Sequence, residues 1–197
     1  MIAPANVSPL VAFGILMLSG ALAVLAADGR LALFALAGQY VSAGLLMSLM
    51  AAPSLAWLHV VIGGLACVIL YLGWRAGARS AAESLVALPF RAGAFVLVVF
   101  LAGILSAQRP LPFADGLTTL ASLVLAGLFI AQAALFREPI RAGMGVLSLL
   151  NGVALYLLDV QSGVALTAWA LAATLLVALA AAYVQYGRRA PGAEEDA

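Results

Sequence analysis

The chain has 197 residues, of which 66% are hydrophobic and 9% charged, with a net charge of +1 and a mean hydropathy of +1.18. A soluble domain is about half apolar and a quarter charged, so this composition excludes an ordinary water-soluble core and predicts a protein embedded in lipid. The small net charge gives no basic face for nucleic acid, and a single cysteine, Cys67, excludes a disulfide framework.

Seven apolar runs follow one another along the chain, each about long enough to cross a hydrocarbon core of roughly 30 Å as a helix. We therefore predict an all-α integral membrane protein with spans at residues 10–27, 31–51, 55–74, 92–107, 117–136, 140–158 and 164–186. Most connections are short, so consecutive helices should lie side by side and antiparallel. The first run lacks the basic leading region of a secretion signal and is predicted to remain as a span.

The arginines set the predicted orientation, because cytoplasmic loops carry an excess of positive charge. With seven spans, eight of the nine arginines fall on one side of the membrane, and only Arg109 falls on the other. The N-terminus is therefore predicted to lie outside and the C-terminus in the cytoplasm. The eight arginines on the cytoplasmic side are Arg30, Arg75, Arg79, Arg91, Arg137, Arg141, Arg188 and Arg189.

The order of features predicts an internal 3+1+3 parallel repeat. Residues 1–75 and 117–189 would each form a three-helix unit with a tight cytoplasmic turn, a carboxamide in the second helix and aromatic residues with arginine at the end. Gln39 follows Arg30 at nearly the distance at which Asn151 follows Arg141. Residues 76–116 would hold an interfacial segment, the linking fourth helix and an outer loop, and residues 190–197 an acidic tail.

The deepest strongly polar side chains in the predicted spans are Gln39 and Asn151, with Gln132 nearer the cytoplasmic end of the fifth helix. One interpretation is that they line a hydrated path or contact a quinone. The other, which we favour, is adhesion between helices through hydrogen bonds of roughly 0.6–2 kcal/mol. No acid or base lies in the middle of a predicted helix, so the chain alone offers no relay of titratable groups.

Two further features of the spans are candidates for packing or chemistry. His59 could accept a proton or ligate a haem, but one histidine beside Trp57 is more typical of an interfacial residue with an ordinary partner. Gly145, Ser148 and Gly152 form a small-residue face on the sixth helix, which would let a neighbouring helix approach closely. Nothing in the sequence indicates whether that neighbour belongs to this chain or to another.

The turn R-E-P-I-R and the segments G-V-L-S-L-L-N-G-V and L-A-A-T-L-L-V-A-L-A-A-A-Y-V-Q-Y-G-R-R lie within residues 117–189. With them, this part resembles the K-type (4L) subunit of complex I and of Mrp antiporters, and the whole chain resembles the E component of group-4 (hydrogenase-4 type) membrane hydrogenases. The family places a glutamate in each of its last two helices. Those positions fall near Leu147 and near Thr174 and Leu175, where this chain has no acid.

The resemblance implies a non-catalytic membrane subunit of a bacterial ion-translocating redox complex, such as an NADH-quinone oxidoreductase or a hydrogenase. Its partners would be antiporter-type subunits that carry proton transport, and it would hold no cofactor or metal of its own. A small stand-alone transporter and an accessory or assembly protein of another membrane complex remain as alternatives. The sequence contains no nucleophile–base pair, phosphate-binding glycine loop or metal-ligand spacing.

Overall fold

The computed structural model of the chain describes residues 8–50, 53–76, 87–108, 116–159 and 164–187. Within these ranges the regular structure is helical, and they contain no strand. The all-α prediction is therefore confirmed for the described residues. The helices are α1 (Pro9–Leu25), α2 (Gly29–Met50), α3 (Pro53–Ala76), α4 (Leu88–Gln108), α5 (Gly116–Leu135), α6 (Pro139–Asp159) and α7 (Val164–Gly187).

Six of the seven helices in the described ranges, α2 to α7, are long and apolar enough to cross a membrane. The remaining helix, α1, is equally apolar but has 17 residues, at the lower limit for a span. Helix length and composition thus agree with a multi-pass membrane protein. The large exposed apolar side chains, such as Leu18, Trp57, Phe100 and Leu176, have the same explanation, because lipid rather than water would surround them.

Proline marks the start of several helices, since its missing N–H and fixed φ are compatible with the first helical turn. Pro9, Pro53 and Pro139 begin α1, α3 and α6. We predicted that α4 starts at residue 92, but it begins at Leu88, because Pro89 is compatible with the first helical turn. The fourth helix is therefore not the shortest of the seven, and Arg91 belongs to it rather than to the preceding loop.

The helices form two layers of three that face each other. In one layer α2 packs between α1 and α3, and in the other α6 packs between α5 and α7. Across the layers α1 contacts α5, α2 contacts α6, and α3 contacts α7. The remaining helix, α4, covers the edge where α1 and α5 meet.

This arrangement makes a four-helix bundle of α2, α3, α6 and α7, closed by contacts between each helix and its two neighbours. An apolar cluster fills the end of the bundle where α2 and α6 begin and α3 and α7 end, around Leu36, Leu70, Met144 and Ala178. A second apolar cluster packs α1, α5 and α4 against the other end of α2 and α6. Buried polar side chains lie between these apolar regions.

Candidate functional site: a buried polar cluster

Five polar side chains meet inside the four-helix bundle, and we call them the polar cluster. They are Gln39 and Tyr40 from α2, His59 from α3, and Ser148 and Asn151 from α6. Each is at most 1% exposed. Gln39 and Ser148 lie near the midpoints of their helices, whereas His59 lies in the second turn of α3. The cluster therefore extends from the middle of the bundle toward the end at which α3 begins.

Gln39 and Ser148 form the hydrogen bond that joins the two layers at mid-depth. The Ser148 hydroxyl donates to Gln39 Oε1 at 2.8 Å and also lies 3.1 Å from the carbonyl oxygen of Met144, one turn earlier in α6. Serine in a helix often bonds the carbonyl one turn back, so the hydroxyl proton is shared between an intrahelical and an interhelical acceptor. The bond fixes α2 against α6.

His59 and Asn151 form the second bond between the layers, with Nε2 of the imidazole 2.7 Å from Asn151 Oδ1. Because a carbonyl-type oxygen only accepts, the geometry assigns the proton to Nε2. The Tyr40 ring lies beside the imidazole, with ring centroids 5.2 Å apart and planes inclined at 44°. Tyr40 can sit so close to α3 because Gly63 faces it, and a Cβ at that position would overlap the ring.

Three polar atoms of the cluster have no hydrogen-bond partner within the described part of the chain. They are Gln39 Nε2, His59 Nδ1 and Asn151 Nδ2. Buried polar groups are normally paired, so these two donors and one acceptor can each take one further neutral partner. The cluster contains no carboxylate and no arginine, and its capacity is therefore for hydrogen bonding rather than for charge pairing.

Tyr40 contacts Leu147 and Thr174, the residues near which the resembled family carries its glutamates. The Tyr40 hydroxyl lies 3.4 Å from the carbonyl oxygen of Leu147, and the Thr174 side chain lies within hydrogen-bonding reach of the same hydroxyl. Thr174 donates to the carbonyl oxygen of Ala170 at 2.9 Å. Leu147 and Thr174 are both buried. A neutral phenol thus occupies the space between the two positions.

The small residues of α6 face two different neighbours in this chain. A Cβ on Gly145 would lie 3.2 Å from the carbonyl oxygen of Phe129, and one on Gly152 would lie 2.9 Å from that of Ser122. Both glycines therefore allow α5 to approach closely, whereas Ser148 turns to Gln39 of α2. The neighbour that the sequence left open is α5 of the same chain.

Gln132 lies apart from the polar cluster, and His59 lies inside it. Gln132 is 1% exposed on α5, and neither its Oε1 nor its Nε2 has a hydrogen-bond partner in the described ranges. His59 is 1% exposed, whereas Trp57 beside it is 71% exposed. His59 therefore points into the bundle, whereas its neighbour Trp57 faces outward. Its ordinary partner is Asn151.

Two buried arginines, which the sequence showed only as part of the cytoplasmic charge bias, form a further polar feature. Arg141 donates through Nη1 to the carbonyl oxygen of Ala23 at 3.3 Å and through Nη2 to those of Ala26 and Ala27 at 2.9 and 3.1 Å. Arg91 donates to the carbonyl oxygen of Leu25 at 3.0 Å. The last carbonyls of a helix lack intrahelical partners and carry partial negative charge, so both guanidinium groups cap α1.

Phe136 packs against both caps, with the guanidinium carbons of Arg141 and Arg91 lying 4.6 and 6.0 Å from its ring centroid. The ring shields the charges while its π face attracts them. The signal that could have identified these residues is position alone: each arginine stands within the first turn of a helix whose end must lie beside the end of α1. A sequence without contacts does not reveal which carbonyls they reach.

The chemistry available to the polar cluster is limited to neutral hydrogen bonding and, through His59, the acceptance of a proton. In the described ranges, no three His, Cys, Asp or Glu side chains are grouped so that they could hold a metal ion. No family model matches this chain, and no curated protein or solved structure matches it. The site must therefore be interpreted from its own geometry.

Proposed function

We propose that the chain is a non-catalytic subunit of a bacterial ion-translocating redox complex in the plasma membrane, of the complex I or group-4 hydrogenase type. In this proposal it scaffolds antiporter-type subunits. The observation that carries the proposal is the pairing within the polar cluster. Ser148 with Gln39 and His59 with Asn151 join helices through neutral groups. The chain has no acid near Leu147 or near Thr174 and Leu175, where the resembled family carries glutamates.

A multi-pass topology with seven spans, an external N-terminus and a cytoplasmic C-terminus belongs to this proposal. It rests on the arginine bias together with six helices long enough to span and α1 at the lower limit. Arg91, Arg141 and the C-terminal end of α1 lie together, which agrees with the placement of all three on the cytoplasmic side. The caps therefore support the alternation of the helices.

The layered packing supports both the internal repeat and the scaffold role. If residues 1–75 and 117–189 are duplicated units, the contacts α1–α5, α2–α6 and α3–α7 pair equivalent helices. This order is the one that translation, rather than rotation, of one unit onto the other produces. The two layers would therefore contact each other through different faces of the unit. Contacts of this kind leave complementary faces open at both ends of the stack, where further subunits can add.

Copurification tests the proposal directly. The full chain, tagged at its C-terminus and expressed from its own chromosomal locus, would be extracted in a mild detergent and its partners identified by mass spectrometry. We expect antiporter-like membrane subunits together with a redox subunit. The Asn151→Leu variant should reduce their recovery more than it reduces proton flux per assembled complex. A chain that migrates without such partners would contradict the proposal, and so would a variant that assembles fully but loses flux.

The unpaired atoms of the polar cluster favour a second candidate, a stand-alone transporter of a small neutral polar solute. Gln39 Nε2, Asn151 Nδ2 and His59 Nδ1 could bind such a solute near the middle of the bundle. In this case the purified chain alone, reconstituted in vesicles, would take up solute, and Gln39→Leu and Asn151→Leu would each abolish the uptake. Uptake unaffected by both changes would remove this candidate.

A further inference from the structure

The surface of the bundle carries a cleft between α2 and α3 that the scaffold role does not use. Its volume is about 390 Å³, within the range of roughly 300–1,000 Å³ typical of small-molecule sites. The walls are apolar along most of their length, with Phe34 and Val68 exposed at 73% and 53%. Arg30 lines one end of the cleft, and Tyr71 lies at the same end. The cleft thus combines an apolar groove with a single cation.

The side chain of Arg30 is exposed and lies beside an aromatic ring. Its guanidinium carbon lies 5.3 Å from the centroid of the Trp74 ring, and Arg30 itself is exposed. A guanidinium stacked on an aromatic face uses its π surface there and keeps its in-plane N–H groups free, and that fork matches the oxygens of a phosphate. Trp74 is itself held in place, because its indole packs directly against Gly29.

The position of the cleft relative to the membrane agrees with this chemistry. Arg30 begins α2, while Tyr71 and Trp74 lie near the end of α3. In a membrane crossed by both helices, the charged end would lie where a lipid headgroup meets the acyl region. Tyrosine and tryptophan concentrate at that depth. In the proposed topology this end faces the cytoplasmic leaflet, which attracts basic residues because it carries anionic lipids.

We propose that the cleft binds one anionic phospholipid, with an acyl chain along Phe34, Ala37 and Val68 and the headgroup phosphate on Arg30. Asp28 sets the strength of this site. Its Oδ1 accepts the backbone N–H of Arg30 at 2.9 Å, so the carboxylate lies at the same end of the cleft as Arg30. The carboxylate caps α2 and at the same time weakens attraction for the anionic headgroup.

Native mass spectrometry of the full chain in detergent tests the site with two added lipids, phosphatidylglycerol and phosphatidylcholine. We expect phosphatidylglycerol to be retained more strongly, and Arg30→Gln to lower its retention about fivefold, as one basic residue at the surface contributes about 1 kcal/mol. Arg75→Gln is the matched control, because Arg75 is exposed at the end of α3 but does not line the cleft. It should change retention less than about twofold.

A second pair of variants tests the apolar groove. Val68→Trp should fill the cleft and lower the retention of both lipids, whereas Val61→Trp, two turns earlier on the same helix and 63% exposed, should not. Asp28→Asn keeps a capping side chain but removes the charge, and it should raise phosphatidylglycerol retention, a gain that misfolding cannot produce. Equal retention of the two lipids, equal effects of Arg30→Gln and Arg75→Gln, or equal effects of the two tryptophans would overturn the proposal.

Discussion

The hydrogen bond between Asn151 and His59 is the shortest one between side chains of the polar cluster. It joins two residues that are far apart in the chain. Neither residue can find water in a hydrocarbon core, so each depends on the other for at least one hydrogen bond. The bond of 2.7 Å joins α6 to α3 and therefore ties the second layer to the first. A buried neutral pair of this kind stabilises a helix packing without placing a charge in lipid.

Asn151→Leu should therefore lower the free energy of unfolding in detergent by about 1–2 kcal/mol, because it removes the bond and leaves His59 Nε2 without a partner. A double-mutant cycle with His59→Leu should give a coupling energy of about 0.6–1.7 kcal/mol. The measurement is equilibrium unfolding in mixed micelles.

Gln132→Leu provides the control for this measurement. Gln132 is as deeply buried as Asn151, but both of its side-chain polar atoms lack a partner in the described residues. Replacing an unpaired carboxamide by an apolar side chain should leave stability unchanged or increase it. If Gln132→Leu were as destabilising as Asn151→Leu, loss of shape rather than loss of a hydrogen bond would explain both effects.

At the scale of the helices, the sequence predicts local features, namely the position and the start of each helix. Apolar runs of sufficient length predict each helix, and the starts at Pro9, Pro53 and Pro139 follow from proline chemistry. The predicted start of α4 was wrong because the charge of Arg91 indicated a loop. In the structure this arginine is 6% exposed and caps a neighbouring helix. Pairings such as His59 with Asn151 depend on which helices adjoin, and no local pattern encodes that.

The caps on the end of α1 show how one helix terminates inside a membrane protein. Arg141 reaches three carbonyl oxygens, two of them beyond the last residue of α1. Hydrogen bonds from a charged donor contribute about 1.5–3 kcal/mol each, and their loss leaves buried carbonyls without partners. Arg141 is fully buried, so little solvent screens these interactions.

Arg141→Gln should accordingly lower the free energy of unfolding by at least about 3 kcal/mol, and Arg141→Lys should recover part of it because an ammonium can still donate to one or two of the carbonyls. Arg137→Gln is the control, since Arg137 precedes α6 by one short turn and is exposed. Equal stability of the Arg141 and Arg137 variants would mean that the cap does not hold α1 in place.

At the scale of the whole molecule, the two layers face each other in the order α1–α5, α2–α6 and α3–α7. A half-turn rotation about the membrane normal would instead oppose α1 to α7 and α3 to α5. Gln39 bonds Ser148 and Asn151 bonds His59, so the two carboxamides do not bond each other. Under the predicted repeat, this is the result that displacement of one layer over the other would give.

The proposed topology can be tested by labelling single cysteines from either side of the membrane. In a Cys67→Ala background, Ser54→Cys at the start of α3 and Ala27→Cys between α1 and α2 both occupy exposed positions. When spheroplasts are treated with a membrane-impermeant thiol reagent, Ser54→Cys should react without permeabilisation. Ala27→Cys should react only after the membrane is permeabilised. The arginine bias gives this direction, because the Ala27 end adjoins Arg30, Arg91 and Arg141.

The two cysteines serve as each other's control, because opposite ends of the bundle must respond oppositely if α2 crosses the membrane. Labelling of Ser54→Cys from the cytoplasm alone would mean that the topology is inverted. The cleft at Arg30 would then lie in the outer leaflet, where lipid charge no longer favours phospholipid binding at Arg30. Labelling of both from the same side would mean that α2 does not cross. In that case its apolar exposed face, with Phe34 at 73%, would have to be covered by protein rather than by lipid.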